Sequence, residues 1–475
     1  MIASRSHRVG RYAIAVLLSA AGASLGASPA LAPALAAGVA SHSPRSSVLS
    51  ARPSAPAPRP HSHHGTATIA VGRLPDSVAV DERNGTVWVA NSLDGTVSEI
   101  SETRQAVIAT IKVPASPVGV AADPATGTIW VTCLGPFGRP AADNTVTEIS
   151  DSTGKILATI KVGQAPFGIA ADRRTGMVWV ANTNSSTLSE ISEKRAEVVA
   201  TIPISKRDAP DGVAIDQKTG TVWVASLGGG LEELSEATRS VSAPSRIRRG
   251  TPPGSPSAIA VDAASGAAWM TSEVYSGGSL YANFASGVSL ASRALMAAVR
   301  VPRAGLFANI ADAIAADPAT GTIWVAENGA NSVTLISESK LSVARNLPTG
   351  VSPVAIAIDS RTSTAWVVNN LDNTVSEYSY SAPRITSPAL IRLQSGTRAR
   401  FVVHARGFPV CVVTARGEVP PGLHLRLGRG AVFLAGTPSP LARGRTYRIV
   451  ITADNGIGTT AGTDGVTQRL VVEVR

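Results

Sequence analysis

The sequence predicts an all-β protein, a seven-bladed β-propeller followed by a C-terminal β-sandwich. Three observations predict the ring. All seven tryptophans recur at intervals of 42 to 55 residues, and an aspartate stands seven residues before each of them. A proline stands six residues before that aspartate in six of the seven repeats, and the sixth repeat has Ala311 instead. A repeat of about 40–50 residues built from short strands is typical of a β-propeller. The tryptophans are Trp88, Trp130, Trp179, Trp223, Trp269, Trp324 and Trp366.

Residues 1–36 have the pattern of a signal peptide. Three arginines precede an apolar stretch from Tyr12 to Gly26, and Ala34-Leu35-Ala36 offers an A-x-A cleavage site. No later stretch approaches the ~20 apolar residues that a spanning helix needs. We therefore expect a secreted, extracellular protein that begins near Ala37 and has no transmembrane segment; association with the cell wall is a further possibility that depends on the C-terminal charge.

Residues 37–65 are rich in Pro, Ser, Ala and His without periodicity, which predicts a disordered linker. Its histidines His61, His63 and His64 could bind a metal, but linkers carry such tracts without using them. The sequence predicts no metal site and no cofactor.

The first repeat shows how each blade is built. Ser77–Val80 is a short apolar strand, and Asp81–Gly85 is a turn whose Asp accepts backbone N–H bonds and whose Gly supplies a positive φ. Strands at Thr86–Ala90, Thr96–Ser101 and Ala106–Val113 follow. Four antiparallel strands make one blade. The tryptophan of the second strand fills the gap between blades; a ring of sugar-stacking aromatics is the alternative.

The seventh repeat lacks a fourth strand, because the chain departs at Pro383. The segment Thr66–Val71, which precedes the first repeat, matches the fourth-strand text Ile108–Val113. We expect this segment to complete the seventh blade, which removes exposed sheet edges. The propeller is thus predicted to span residues 66–381.

The repeat text carries a family resemblance. The run Trp88-Val89-Ala90-Asn91, followed by Gly95-Thr96-Val97-Ser98-Glu99-Ile100, resembles the YVTN-type (YncE-like) β-propeller repeat, with Trp in place of the usual Tyr. The resemblance covers about two-thirds of the chain. It implies a propeller fold and a location in a microbial envelope, and it implies no particular activity.

Residues 382–475 have a separate pattern. The motifs Gly407-Phe408-Pro409, Pro421-Gly422-Leu423, Gly436-Thr437-Pro438 and Ala453-Asp454-Asn455-Gly456 resemble, in this order, bacterial Ig-like (cadherin-like) β-sandwich domains. Short alternating strands suit a sandwich independently. Some relatives bind calcium at clustered acids, but only four acids occur here, so we expect no calcium site.

Charge divides the chain. Residues 66–383 hold 24 basic and 29 acidic side chains, a net charge of −5, which argues against nucleic acid as a partner of the propeller. Residues 384–475 hold 13 Arg and four acids, a net charge of +9. Arginine binds phosphate in a bidentate manner, so this domain is predicted to contact an anionic cell-wall polymer. Replacement of Lys by Arg through genome composition is the alternative.

Candidate ligand-binding residues lie where the second strands end and on the variable loops, because binding residues concentrate on such loops. The opposite face, formed by uniform Asp-x-x-x-Gly turns, is predicted to be structural. Capping of strand ends by small polar residues is the alternative for the pore-mouth positions. The candidates are Asn91, Arg139, Asp143, Asn182, Asp312, Glu327 and Asn369.

No catalytic residue is predicted. Residues 66–383 contain no histidine, which removes the general base of many propeller lyases and lactonases, and no hydrolase or metal motif occurs. Cys133 and Cys411 lie in different predicted domains and are expected to be unpaired. The favoured function is a binding or scaffold protein with an unknown protein or glycan partner. The alternatives are a hydrolase or lyase acting on a lactone or glycan, and a purely structural surface protein.

Overall fold

The computed structural model describes residues 67–114, 116–135, 144–204, 209–227, 230–241, 255–276, 279–301, 311–458 and 465–475. Within these ranges the chain forms strands and two short 3-10 helices, η1 (Asn328–Ala330) and η2 (Pro440–Ala442). The strands of the described residues make nine sheets, numbered here in chain order.

The first strand of the described residues is β1 (Ala67–Ala70). Sheet 1 contains β2 (Pro75–Asp81), β3 (Thr86–Asn91), β4 (Thr96–Ser101) and β5 (Ala106–Lys112). Sheet 2 contains β6 (Pro117–Asp123), β7 (Thr128–Cys133), β8 (Thr145–Ser150) and β9 (Ile156–Lys161). Sheet 3 contains β10 (Pro166–Asp172), β11 (Met177–Asn182), β12 (Thr187–Ser192) and β13 (Glu197–Pro203). Sheet 4 contains β14 (Pro210–Asp216), β15 (Thr221–Ser226) and β16 (Gly230–Ser235).

Sheet 5 contains β17 (Ser255–Asp262), β18 (Ala267–Ser276), β19 (Ser279–Ser289) and β20 (Leu295–Arg300). Sheet 6 contains β21 (Ala311–Asp317), β22 (Thr322–Glu327), β23 (Ser332–Ser337) and β24 (Ser342–Pro348). Sheet 7 contains β25 (Pro353–Asp359), β26 (Thr364–Asn369) and β27 (Thr374–Ser379), together with β1. Strands that follow one another within these sheets pair antiparallel, as the sequence predicts.

The first strands of sheets 1 to 7 contact one another in chain order, and β25 of sheet 7 contacts β2 of sheet 1. The sheets therefore follow one another around a closed ring, which is consistent with a β-propeller-type fold. The predicted pairing of the N-terminal segment is confirmed, because β1 pairs antiparallel with β27 and Ala67 lies opposite Glu377. In sheet 4 the described residues give three strands, and a bridge between Leu234 and Val241 follows them.

The tryptophans fill the boundaries between sheets, which confirms their predicted role in the core. All seven are at most 1% exposed. Trp88 of sheet 1 packs against Val131 of sheet 2, and each later tryptophan packs on the sheet that follows it. Trp366 closes the series by packing against Val89 of sheet 1. A large flat side chain at each boundary buries a large apolar area between neighbouring sheets.

The turn after each first strand also follows the prediction. In all seven repeats the turn aspartate accepts a hydrogen bond from the backbone N–H two residues later; Ala125 N lies 2.7 Å from Asp123 Oδ1. Gly127 has a φ of 75°, which glycine adopts without strain. The seventh turn has Ser363 at this position, with a φ of 55°.

The C-terminal residues form two sheets of four strands. Sheet 8 has the order β28 (Ser381–Ile385), β30 (Ala399–Phe408), β33 (Ala431–Gly436) and β32 (Leu423–Gly428). Sheet 9 has the order β29 (Leu390–Leu393), β35 (Gly465–Val474), β34 (Thr446–Asp454) and β31 (Val412–Gly417), with β29 parallel to β35. The two sheets share an apolar core that includes Val403, Val432, Ile449 and Leu470.

Candidate functional site

The predicted pore-mouth positions lie at one end of the ring, three residues after each tryptophan. All seven side chains are buried, so none of them is an open surface group. They are Asn91, Cys133, Asn182, Ser226, Ser272, Glu327 and Asn369.

The three asparagines of this series share one arrangement. Asn91 Nδ2 donates to Thr96 Oγ1 at 3.1 Å and to Ser98 Oγ at 2.9 Å, and Asn182 and Asn369 make the equivalent bonds. A Cβ at Gly72 would lie 2.6 Å from Asn91 Cγ, so glycine is required at position 72, just before the first repeat. Both amide hydrogens are therefore used to cap the strand end. Ligand binding by these asparagines stays a prediction.

Glu327 is the acid of this series. It is 1% exposed, its Oε1 accepts a hydrogen bond from Thr334 Oγ1, and its Oε2 has no hydrogen-bond partner among the described residues. Burial raises the pKa of Glu327 to about 7. Thr334 Oγ1 also lies 2.7 Å from Asn346 Oδ1, and one hydroxyl cannot donate to both oxygens. The hydroxyl therefore donates to one of these oxygens at a time, and the raised pKa allows the Glu327 carboxyl to hold a proton near neutral pH.

A β-bulge follows the proline position of every first strand, at the same end of the ring. Bulges re-aim side chains and are common beside functional sites. The residues at this point include Asp76, Asp211 and Asp312. Asp76 Oδ1 accepts from Asn370 Nδ2 at 3.0 Å, which joins sheet 7 to sheet 1.

Three candidates cannot be placed as side chains. Asp312 lies on β21, and the structure describes its backbone alone. Arg139 and Asp143 lie outside the described residues. Convergence of these three residues with Glu327 stays a prediction.

Pairs of carboxyl groups lie at the opposite end of the ring, on the face that sequence reasoning assigned to structural turns. In each pair the turn aspartate of one sheet faces an acid that follows the third strand of the next sheet, within hydrogen-bonding reach. The pairs are Asp81–Asp151, Asp123–Glu193, Asp172–Glu236, Asp262–Glu338 and Asp359–Glu102. Tyr380 takes the place of the acid beside Asp317.

The pair Asp172–Glu236 shows the chemistry of these contacts. Trp179 Nε1 donates to Glu236 Oε1 at 2.7 Å, and Arg174 Nη2 contacts Glu236 Oε2 at 2.7 Å and Asp172 Oδ2 at 3.1 Å. Burial, together with the hydrogen bond to Asp172, raises the pKa of Glu236 to about 8. Burial also disfavours ionisation of Asp172, but its hydrogen bonds from Glu236, Arg174 and Thr175 outweigh this and lower its pKa. The pair therefore holds one proton, on Glu236.

The same cause acts on three further glutamates, since burial raises the pKa of Glu102, Glu193 and Glu338 to about 7. A sequence signal for these acids exists, because each follows the serine that ends a third strand, as in Ser235-Glu236. Their partners, however, belong to the preceding repeat.

The C-terminal sheets carry a basic surface. All 13 arginines of residues 384–475 are exposed. Of these 13 arginines, only Arg392 and Arg475 lie within 4.0 Å of a carboxylate of a described residue, and both contact Glu473. On the outer face of sheet 8, Arg384 lies opposite Arg406 and Arg426 lies opposite Phe433. Arg400 Cζ stands 6.0 Å from the ring centroid of Phe433. This surface, defined by Arg384, Arg400, Arg406 and Arg426, is the sheet 8 arginine face.

Other chemistry is sparse in the part of the chain that the structure describes. No group of three or more His, Cys, Asp or Glu side chains there could hold a metal ion. Cys133 and Cys411 are both free and buried. The described residues contain no helix of the length and apolar character needed to cross a membrane.

Comparison with known proteins shows the fold and no more. No family model matches the chain, and no curated protein does. Among solved structures, the chain is similar to a chain of Kuenenia stuttgartiensis hydrazine synthase, at 16% identity and a TM-score of 0.54. The match covers 64% of this chain and 95% of that one. At this identity the likeness supports a β-propeller-type arrangement of the sheets.

Proposed function

We propose that the chain is an exported YncE-like protein with a seven-bladed propeller and an Ig-like domain. Seven consecutive sheets in a closed ring of contacts support the propeller, and the two sheets of residues 381–474 around one core support the sandwich. Export rests on the signal-peptide pattern of residues 1–36.

We further propose that this protein is a non-catalytic binding or scaffold protein of the cell envelope. Its ring presents a face to a protein or glycan partner, and its C-terminal domain contacts an anionic wall polymer. The observation that carries the second part is the sheet 8 arginine face, whose four guanidinium groups are exposed and lack a carboxylate partner among the described residues. Unpaired arginines can each offer a bidentate contact to phosphate without first breaking an ion pair.

The test is co-sedimentation of the full chain with purified bacterial cell walls. The quadruple variant R384Q/R400Q/R406Q/R426Q removes the face. The matched control K155Q/K161Q/K194Q/K218Q removes the same charge from exposed lysines of the ring. Exposed ionic contacts contribute about 0.5–1 kcal/mol each, so the first variant should bind at least about 30-fold more weakly.

Salt gives a second readout, because the Debye length falls from ~10 Å at 0.1 M to ~3 Å at 1 M. Binding by the wild type should therefore disappear at high salt. Equal binding by the two variants, or binding that resists 1 M salt, would contradict the electrostatic contact.

One observation favours a second candidate function. Glu327 is a buried acid whose pKa is raised to about 7, the range suited to a general acid or base. A hydrolase or lyase acting on a lactone or glycan would use such a group at the mouth of the ring. Turnover of a lactone or glycan substrate that is abolished in E327Q, and kept in E197Q, would establish this function in place of the scaffold.

A further inference from the structure

A cleft of about 610 Å³ lies between sheet 6 and the C-terminal sheets. One wall is the outer strand β24, from Arg345 to Pro348, and the other is formed by the chain from Phe408 to Val413 with the end of β32. Its volume is in the range of sites that enclose small molecules or peptide side chains.

Contacts beside the cleft hold its two walls together. Lys340 Nζ lies 3.0 Å from Asp454 Oδ2, and Gly458 N donates to Thr322 Oγ1 at 3.3 Å. Ile457 is completely buried in the core that contains Trp324. The walls are therefore joined by packing as well as by hydrogen bonds, and the cleft is a preformed feature.

The cleft is positively charged. Arg345 and Arg429 line it, and no acidic side chain does among the residues that the structure describes. Arg345 Nε is buried and has no hydrogen-bond acceptor, and Arg345 has no carboxylate within 4.0 Å in the described part of the chain. The nearby thiol of Cys411 does not neutralise it, because burial raises the pKa of this thiol. A guanidinium group that has no carboxylate partner can bind an anionic ligand without first breaking an ion pair.

Apart from Asn346, most of the remaining side chains of the lining are apolar, and strand edges border the cleft. Val412 and Leu427 are each 56% exposed, which is unusual for large apolar side chains. Strand β24 pairs with β23 on one side and has no strand partner on the other among the described residues. Strands β31 and β32 are likewise the edges of their sheets. Free edges accept extended peptides as an added strand, with pockets for alternate side chains.

We propose that this cleft binds an extended peptide that carries a carboxylate beside apolar side chains, with the carboxylate on Arg345. The apolar side chains of Phe408 and Val412 beside Arg345 favour a ligand that carries apolar groups over a polyanion. The peptide site is separate from the sheet 8 arginine face, so each can fail without the other.

The test uses a fluorescein-labelled hexapeptide of alternating valine and glutamate, titrated into the full chain and followed by anisotropy. R345Q should bind it about tenfold more weakly, the loss expected for one charge-assisted pair. R104Q, which removes an exposed arginine of sheet 1, should bind like the wild type. Placing a negative charge on the wall with L427E should also weaken binding. Hydrogen exchange should show that peptide slows exchange in residues 342–348.

A matched peptide of valine and glutamine should bind the wild type about tenfold more weakly than the glutamate peptide. The proposal is overturned if the glutamate peptide does not bind, or if R345Q and R104Q bind it equally. It is also overturned if inorganic phosphate alone slows exchange in residues 342–348 and the peptide does not, because the site would then bind a small anion.

Discussion

The carboxyl pairs predict that the ring loses stability as pH rises, and the substitution E236Q isolates one pair. Glutamine cannot ionise, yet its carbonyl can still accept the hydrogen bond from Trp179 Nε1, and its amide can donate to Asp172. The variant gives up the contact of Arg174 with Glu236 Oε2. Below about pH 5 it should therefore be less stable than the wild type by about 1 kcal/mol.

The sign follows from the folded pKa. Folding raises the pKa of Glu236 from 4.5 to about 8. Its contribution to the free energy of unfolding is therefore complete below about pH 4.5 and is lost as pH rises through about 8. At ~1.4 kcal/mol per pKa unit, the full shift corresponds to roughly 5 kcal/mol. Arg174 is half exposed and solvent screens the pair, so about 2–3 kcal/mol is expected. Asp172, whose pKa is lowered, changes stability only below about pH 4.

The assay is urea denaturation at about pH 5, 6, 7, 8 and 9, followed by fluorescence of the tryptophans at the sheet boundaries. The wild type should lose about 2–3 kcal/mol more than E236Q between pH 5 and 9, so that the two stability curves cross. E197Q, at a side chain that is 57% exposed, is the control and should follow the wild type. Parallel curves for the wild type and E236Q would refute a shared proton in this pair.

Three further predictions concern the ring. Deleting residues 1–71 removes β1, and should lower the melting temperature and promote aggregation through the exposed edge of β27; an unchanged melting temperature would contradict closure by this strand. W324A should cost about 3–5 kcal/mol in denaturant titrations, because Trp324 is fully buried, and a loss below about 1 kcal/mol would argue against its packing role. G350A should cost about 1–3 kcal/mol, because the added Cβ would lie 2.5 Å from Asn369 Cγ; the double variant G350A/N369A should recover part of this loss, and no recovery would show that the clash lies elsewhere.

Repeat spacing made the sheets predictable. A tryptophan that fills the same boundary in every repeat must recur at the same strand position. The packing role of Trp88 and Trp366 can therefore be predicted from the sequence. The turn aspartates are predictable for a related reason, since Asp123 bonds to a backbone group only two residues away. The long-range pairing of Ala67 with Glu377 was also predictable from the sequence, because the strand that the last repeat lacks appears before the first repeat.

The chemistry of the two ends of the ring was harder to predict. Asp172 and Glu236 belong to different repeats, and nothing local in either repeat indicates that they share a proton. The sequence indicates that Asn91 is a polar residue at the end of a strand. Whether its amide faces solvent or neighbouring hydroxyls depends on Gly72 and Ser98. Burial of this kind is a property of the packed ring, and composition does not encode it.

The pairing of β1 with β27 has a consequence for the order in which the chain folds. Ala67 cannot pair until Glu377, 310 positions later, has been synthesised. Every intermediate sheet can form before these two residues pair. Closing a fully flexible loop of that length would cost about 5 kcal/mol of entropy, and the sheets that form first reduce this cost because they fix the intervening chain. During synthesis β1 is therefore made before the other described strands and is the last of them to pair. A newly made ring stays open, with the edges of β1 and β27 unpaired, until its final repeat emerges.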